Sequence, residues 1–167
     1  MNIEFENHDK VKIVQYKCEL KNKVNFFINK SMHDFIGREY KERPDILDIE
    51  NYYLNNNGGF WCAIDVENEE IVGTIALENR INIGILKRFY VDSNYQNLNI
   101  GSRLYNTLDQ YIIKQTTIKT IYLACDKVLK KAHKFYFKKG FLKIDFINIK
   151  MNVTDNDYFF KKEIFNE

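Results

Sequence analysis

The sequence predicts a mixed α/β fold, with a central, mostly antiparallel sheet of six to seven strands flanked by about four helices. Three observations carry that expectation. Apolar, β-prone runs cluster in the middle of the chain, separated by short polar turns. The period then lengthens, with Leu104, Leu108 and Ile112 recurring at four-residue spacing, which marks a helix. A buried-type strand, residues 120–125, follows that helix, and a strand–helix–strand unit predicts one parallel pairing in an otherwise antiparallel sheet.

Residues 11–16 alternate weakly and open the sheet. Residues 19 to about 40 have helical spacing, Val24, Phe27 and Ile28 being continued by Met32, Phe35 and Ile36. Pro44 marks a loop or break, and residues 46–54 read as a short second helix. Asn55-Asn56-Asn57-Gly58-Gly59 tolerates positive φ and predicts a turn. Residues 60–66 and 71–77, joined through Glu67-Asn68-Glu69-Glu70, read as an antiparallel hairpin. Glu78-Asn79-Arg80 is expected to turn the chain into a third strand, residues 83–91. Residues 129–139 form an amphipathic helix stopped by Gly140, and residues 141–149 and 158–164 supply the last strands.

No linker or repeat divides the 167 residues, so residues 1–167 read as a single domain. Twenty-five basic and 23 acidic residues leave a formal charge of +2, which gives no reason to expect nucleic acid as the main partner. No apolar run approaches the ~20 residues of a membrane span, and residues 1–10 are too polar for a signal peptide. A cytoplasmic location and no membrane partner are the expectation. Cys18, Cys62 and Cys125 form no CxxC pair, and His8 and His33 have no nearby ligand partners, so neither a disulfide framework nor a metal site is expected.

The most informative stretch runs from Val91 to Leu104, where a strand ends, a polar loop follows and a helix begins at a small residue. The first turn of a helix carries backbone N–H groups without intrahelical partners, and the helix dipole adds positive potential there. A loop that wraps an anion at that point makes a pyrophosphate site without basic side chains. Gly101 has no Cβ to obstruct a close approach, Asn99 tolerates left-handed conformations, and Ser102 offers a hydroxyl.

Gln96-x-x-Asn99-x-Gly101 resembles the coenzyme A signature of the GNAT acetyltransferase superfamily, an Arg or Gln, two residues, Gly, any residue, then Gly or Ala. Leu86-Lys87-Arg88-Phe89-Tyr90-Val91 resembles the strand that leads into that loop. Ile71-Val72-Gly73-Thr74-Ile75-Ala76-Leu77 is similar to the strand before it. Ala132-His133-Lys134-Phe135-Tyr136-Phe137-Lys138-Lys139-Gly140-Phe141 is similar to the family's later helix with its closing Gly-Phe. The blocks fall in the family's order and cover roughly residues 60–141. Asn99, where glycine is usual, is a departure that loosens the cradle slightly.

The resemblance implies acetyl-CoA as co-substrate, no metal, and a sheet splayed between the strand ending at Val91 and residues 120–125. By position, Phe89, Tyr90 and Val91 contact the pantetheine and thioester. Gln96, Asn97, Leu98, Asn99, Ile100, Gly101 and Ser102 hold the pyrophosphate, and Leu129 makes an apolar contact where many relatives have Asn. Tyr136 matches the tyrosine that serves many relatives as general acid, and a phenol with a reference pKa of about 10 is protonated at neutral pH. The glutamate that many relatives carry on the strand before the cradle is replaced by Ile85. Glu78 reads as a solvated turn residue in preference to a base acting through water. A water chain or an amine already deprotonated in solution would also suffice, and the base is left unassigned.

His133 is assigned to helix packing or surface, and Lys130, Lys131 and Lys134 to a solvated face that lies within reach of an adenosine 3′-phosphate. Tyr40, Tyr52, Tyr53, Phe60 and Trp61 read as core and rim in the region that frames the acceptor in relatives. The acceptor is a small-molecule or peptide amine, attacked directly rather than through an acetyl-cysteine, with Cys125 as the residue that tests this. A homodimer through edge strands is common among relatives. The missing carboxylate keeps open a different class of function, a non-catalytic acyl-CoA-binding sensor or interaction module, and a longer acyl donor is a third reading.

Overall fold

The computed structural model describes residues 10–165, so the polar N-terminal segment before Lys10, with His8, lies outside the described residues. Seven strands form one sheet in the order β1-β2-β3-β4-β5-β7-β6. They are β1 (Val11–Gln15), β2 (Gly59–Asp65), β3 (Ile71–Arg80), β4 (Ile83–Val91), β5 (Thr120–Asp126), β6 (Leu142–Ile144) and β7 (Asp157–Glu163). The helices are α1 (Lys21–Ile36), α2 (Pro44–Leu47), α3 (Ile100–Gln115) and α4 (Lys130–Lys138). Every residue of β2 is buried because helices cover both faces of the sheet there, which is why the strand reads as an unbroken apolar run.

Two cores result. Leu86, Leu104, Leu108, Ile121, Leu123, Tyr136 and Phe160 belong to the one under α3 and α4. Val24, Phe27, Ile28, Ile46, Tyr53 and Phe60 belong to the other, under α1 and α2. Leu104 is fully buried, with its Cδ1 close to the backbone of Gly73. Leu104→Ala is expected to lower stability by about 2–5 kcal/mol, the usual cost of a buried leucine truncation, measured by urea unfolding.

All neighbouring strands pair antiparallel except β4 and β5, which pair in parallel over only three residues: Ile83, Gly84 and Ile85 opposite Thr120, Ile121 and Tyr122. Beyond that point β4 continues to Val91 and β5 to Asp126 without pairing to each other, so the sheet opens into a splay. On its other side β4 carries a bulge. The register passes from Ala76↔Lys87 to Thr74↔Tyr90, so Arg88 and Phe89 together oppose Ile75. Arg88 takes the left-handed φ of 52°, and the Thr74 hydroxyl donates to its carbonyl at 2.7 Å.

Several boundaries differ from the sequence-based expectation. Helix α1 ends at Ile36 rather than near residue 40, because Gly37 at φ 64° caps it through its N–H to the His33 carbonyl. Pro44 starts a helix instead of marking only a break, since its fixed φ and missing N–H suit a first helical position. The expected second helix, residues 46–54, is divided into α2 and a separate turn, Glu50–Leu54. Glu78-Asn79-Arg80 is not a turn: β3 runs through it, and the chain reverses at Ile81 and Asn82, with Ile81 at φ 66°. The Thr117 hydroxyl and the Lys119 N–H bond the carbonyls of Ile81 and Asn82, so tertiary contacts hold a turn that its residue types do not specify. Strand β6 stops at Ile144 rather than 149.

Candidate active site

The loop after β4 adopts two left-handed residues, Asn97 at φ 66° and Asn99 at φ 58°. Asparagine tolerates this region better than most residues, so the position where glycine was expected is served. Asn99 is the N-cap of α3, and no side chain caps the helix there. The first-turn amides, Gly101 and Ser102 among them, therefore lack a side-chain acceptor, and the helix dipole adds positive potential there. Gly101 itself is not required by the fold. A Cβ built there would meet Phe89 at 3.6 Å and Val91 at 3.7 Å, ordinary contact distances, and its φ is not left-handed.

The other predicted cradle residues divide. Gln96 is turned back on the strand, its amide donating to the Val91 carbonyl at 3.3 Å. Ile100 is buried in the core under α3, which leaves only its backbone for a ligand. Leu98 lines a cleft of about 340 Å³ shared with Lys10, Val11, Tyr95, Ile100 and Arg103. Beside the splay, Phe89 packs edge-on against Phe135 at 5.3 Å and near Tyr136 at 6.2 Å, while Tyr90 stacks on Phe35 of α1. Val91 and Leu129 both pack against the core under α3 and α4, Leu129 as the N-cap of α4.

Tyr136 is 5% exposed. Unlike Tyr53 and Tyr95, whose hydroxyls donate to Asp45 and Asp65, it has no hydrogen-bond partner for its hydroxyl among the described residues. Burial, reinforced by the neighbouring Cys125 and Tyr90, pushes its pKa well above that of a free phenol. The group is neutral and has a proton to offer. A splayed pair of parallel strands, an uncapped helix N-terminus beside it and a neutral phenol on the facing helix thus meet at one end of β4.

A family model described as the acetyltransferase (GNAT) family matches residues 25–141. The chain belongs to the GNAT acetyltransferase family. Its fold is that of a GNAT acetyltransferase from Staphylococcus aureus Mu50, at 31% identity and a TM-score of 0.82, over 92% of this chain and 98% of that one. An acetyltransferase from Streptococcus agalactiae 2603 is 25% identical with a TM-score of 0.82, over 93% and 99% of the two chains. The PaiA N-acetyltransferase from Thermoplasma acidophilum, solved in complex with coenzyme A, shares the fold at 20% identity and a TM-score of 0.69, over 92% and 99%. No curated protein matches the sequence significantly.

Within this GNAT domain Ile85, the position of the missing carboxylate, is 1% exposed at the closed end of the splay. Glu78 pairs directly across from it and is not a solvated turn residue. Its side chain is 14% exposed and receives Arg80 at 2.7 Å, Lys87 at 3.5 Å and the Tyr52 hydroxyl at 3.4 Å. It lines a cleft of about 440 Å³ with Pro44, Asp48, Tyr52, Asn79 and Arg80 on the α2 side of the sheet. Two cations neutralise this carboxylate, so the base stays unassigned.

Of the aromatic cluster, Tyr53, Phe60 and Trp61 are core, Tyr52 reaches the cleft and Tyr40 is exposed. His133 bonds the Asp126 carbonyl at 2.9 Å and packs on Tyr158 and Phe160, a packing role. Lys130, Lys131 and Lys134 are exposed on α4. Among the described residues no cluster of side chains suits a metal ion, and no helix is long and apolar enough to cross a membrane.

One group of buried charges escaped the sequence reading. Arg88 grips Asp45 of α2 with Nε at 2.9 Å and Nη2 at 2.7 Å. Burial pushes the Asp45 carboxyl up, but the hydrogen bonds and charge of Arg88 outweigh it and hold the group below the usual carboxylate range. Arg43, also buried, bonds Asn29 of α1 and the carbonyls of Glu39 and Lys41. The available signal was Lys87-Arg88, two adjacent cations in an otherwise apolar strand, which breaks the alternation where the bulge sits.

Proposed function

We propose that this GNAT chain is an N-acetyltransferase that passes the acetyl group of acetyl-CoA directly to the amine of a small molecule or peptide. The observation that carries the reading is the uncapped N-terminus of α3, beside the splay that holds the unpartnered Tyr136 phenol. The amides from Asn99 to Ser102 bind the diphosphate, and the free edge of β4 past Ile85 offers backbone groups to the pantetheine. Acetyl-CoA supplies the activated acyl group. The amine nitrogen bonds to the acyl carbon as the carbon–sulfur bond breaks, and the sulfur leaves with the electron pair. Tyr136 donates its proton to that sulfur and regains one from the proton the amine releases. Burial disfavours a thiolate as it does a phenolate, so a hydrogen bond from Tyr136 is worth more here than in water.

Cys125 lies near Tyr136 but does not suit a covalent route. It is 7% exposed, and burial pushes its thiol up to about 12, so the nucleophilic thiolate is scarce at neutral pH. Cys125→Ala is expected to retain turnover within about 3-fold, within the scatter of a small core substitution. An acetyl group trapped on Cys125 would overturn direct transfer.

The buried, apolar Ile85 favours one other reading, a protein that binds acyl-CoA without turning it over. Free-thiol release followed across a panel of polyamines, amino acids, aminoglycosides and peptides separates the two. Turnover with any of these amines supports the transferase, and tight coenzyme A binding with no thiol release across the panel supports the sensor.

A further inference from the structure

We propose that Asp45 is a positioning residue for the transfer reaction, acting through Arg88 on the end of β4 that lines the splay. The inference rests on the transferase reading above and concerns what sets the direction of the cofactor strand. In a regular strand side chains alternate between faces, and a one-residue slip exchanges the faces of all that follow. Leu86 packs in the core under α3 and α4, and so do Phe89 and Val91. Lys87 and Arg88 both turn to the other layer, toward Tyr52 and Asp45, and Tyr90 packs there on Phe35. The phase therefore slips once, at the bulge. Without the slip Phe89 and Val91 would face α1, and Tyr90 would face Tyr136.

That slip depends on Arg88 staying left-handed, which a side chain with a Cβ resists. Two grips hold it. The Thr74 hydroxyl bonds its carbonyl, and Asp45 takes the guanidinium with both carboxylate oxygens. Asp45 is itself fixed, 5% exposed, with the Tyr53 hydroxyl donating to it at 2.6 Å. An apolar pair of the same volume would serve stability as well as a buried ion pair does. It would not fix the direction of a side chain, and direction is what a two-point guanidinium–carboxylate contact supplies.

Glycine separates the two roles, because it takes a left-handed φ without help. Arg88→Ala and Asp45→Asn are each expected to lower kcat with acetyl-CoA about 30-fold per folded molecule, within the range lost when reacting groups are misplaced by about 1 Å. Arg88→Gly is expected to recover to within about 5-fold of the wild-type chain, since it restores the bulge without the ion pair. A merely structural pair would lower the melting temperature of all three variants alike and leave kcat per folded molecule unchanged. Should Arg88→Ala fail to fold, Asp45→Asn is compared with the Asp45→Asn/Arg88→Gly double variant, which is expected to be the more active. Arg88→Gly no better than Arg88→Ala, or a folded Asp45→Asn with wild-type kcat, overturns the inference while the transferase reading stands. If the protein binds coenzyme A without turnover, the same contrast is read in its Kd. A wild-type chain that binds no coenzyme A overturns both.

Discussion

Gly101→Asp is expected to cost at least about 100-fold in coenzyme A affinity while leaving the melting temperature unchanged or raising it. The two effects have opposite signs because the fold and the ligand ask different things of this residue. The fold has room for a Cβ, at 3.6 Å from Phe89 and 3.7 Å from Val91. Glycine within a helix gives up about 0.5–1 kcal/mol relative to alanine, and a carboxylate in the first turn gains about 0.3–1 kcal/mol from the helix dipole. A diphosphate in the cradle meets the same carboxylate as a like charge, worth about 4 kcal/mol at 4 Å and an effective dielectric of 20 before salt screening. Calorimetric titration with coenzyme A and a thermal melt of the free protein read the two quantities separately. An affinity within about 3-fold of the wild-type value would mean that the diphosphate does not lie on the first turn of α3.

Tyr136→Phe is expected to lower kcat by about 100-fold or more, as loss of a general acid does, with the Kd for coenzyme A within about 3-fold of wild type. The phenylalanine keeps the ring contacts with Phe89, Phe141 and Phe160 and removes a hydroxyl that no other described residue uses, so nothing in the core pays for the change. Equal losses in turnover and binding would assign Tyr136 to the shape of the pocket instead. The expected split follows from the hydroxyl acting on the leaving sulfur, which carries its charge only as the bond breaks.

The shape of the loop between β4 and α3 was legible in the sequence because it is local. A strand end, a loop with Asn99 and a helix opening at Gly101 are neighbours along the chain, and the left-handed φ of Asn99 follows from its residue type. Tyr136 was singled out through a resemblance, by its helix and the closing Gly-Phe pair, and not by local chemistry. Glu78 was misplaced because turn signals outweigh pairing when a sequence is read alone. In the structure antiparallel pairing carries β3 to Arg80 and puts Ile81, a poor turn former, at the corner. Gly37 as a helix stop and Pro44 as a helix start follow from residue type alone.

By itself the sequence determined most element types, the helix start after Asn99 and the absence of a carboxylate at Ile85, since each depends on residues within one turn or one strand. Only the tertiary structure decided that β7 lies between β5 and β6, that the splay implied by the resemblance opens just after Ile85, and that Asp45 reaches Arg88 across 43 positions. Strand order, splay and ion pair are all long-range. They are fixed by which surfaces bury each other once the chain is compact, and no local propensity encodes that choice.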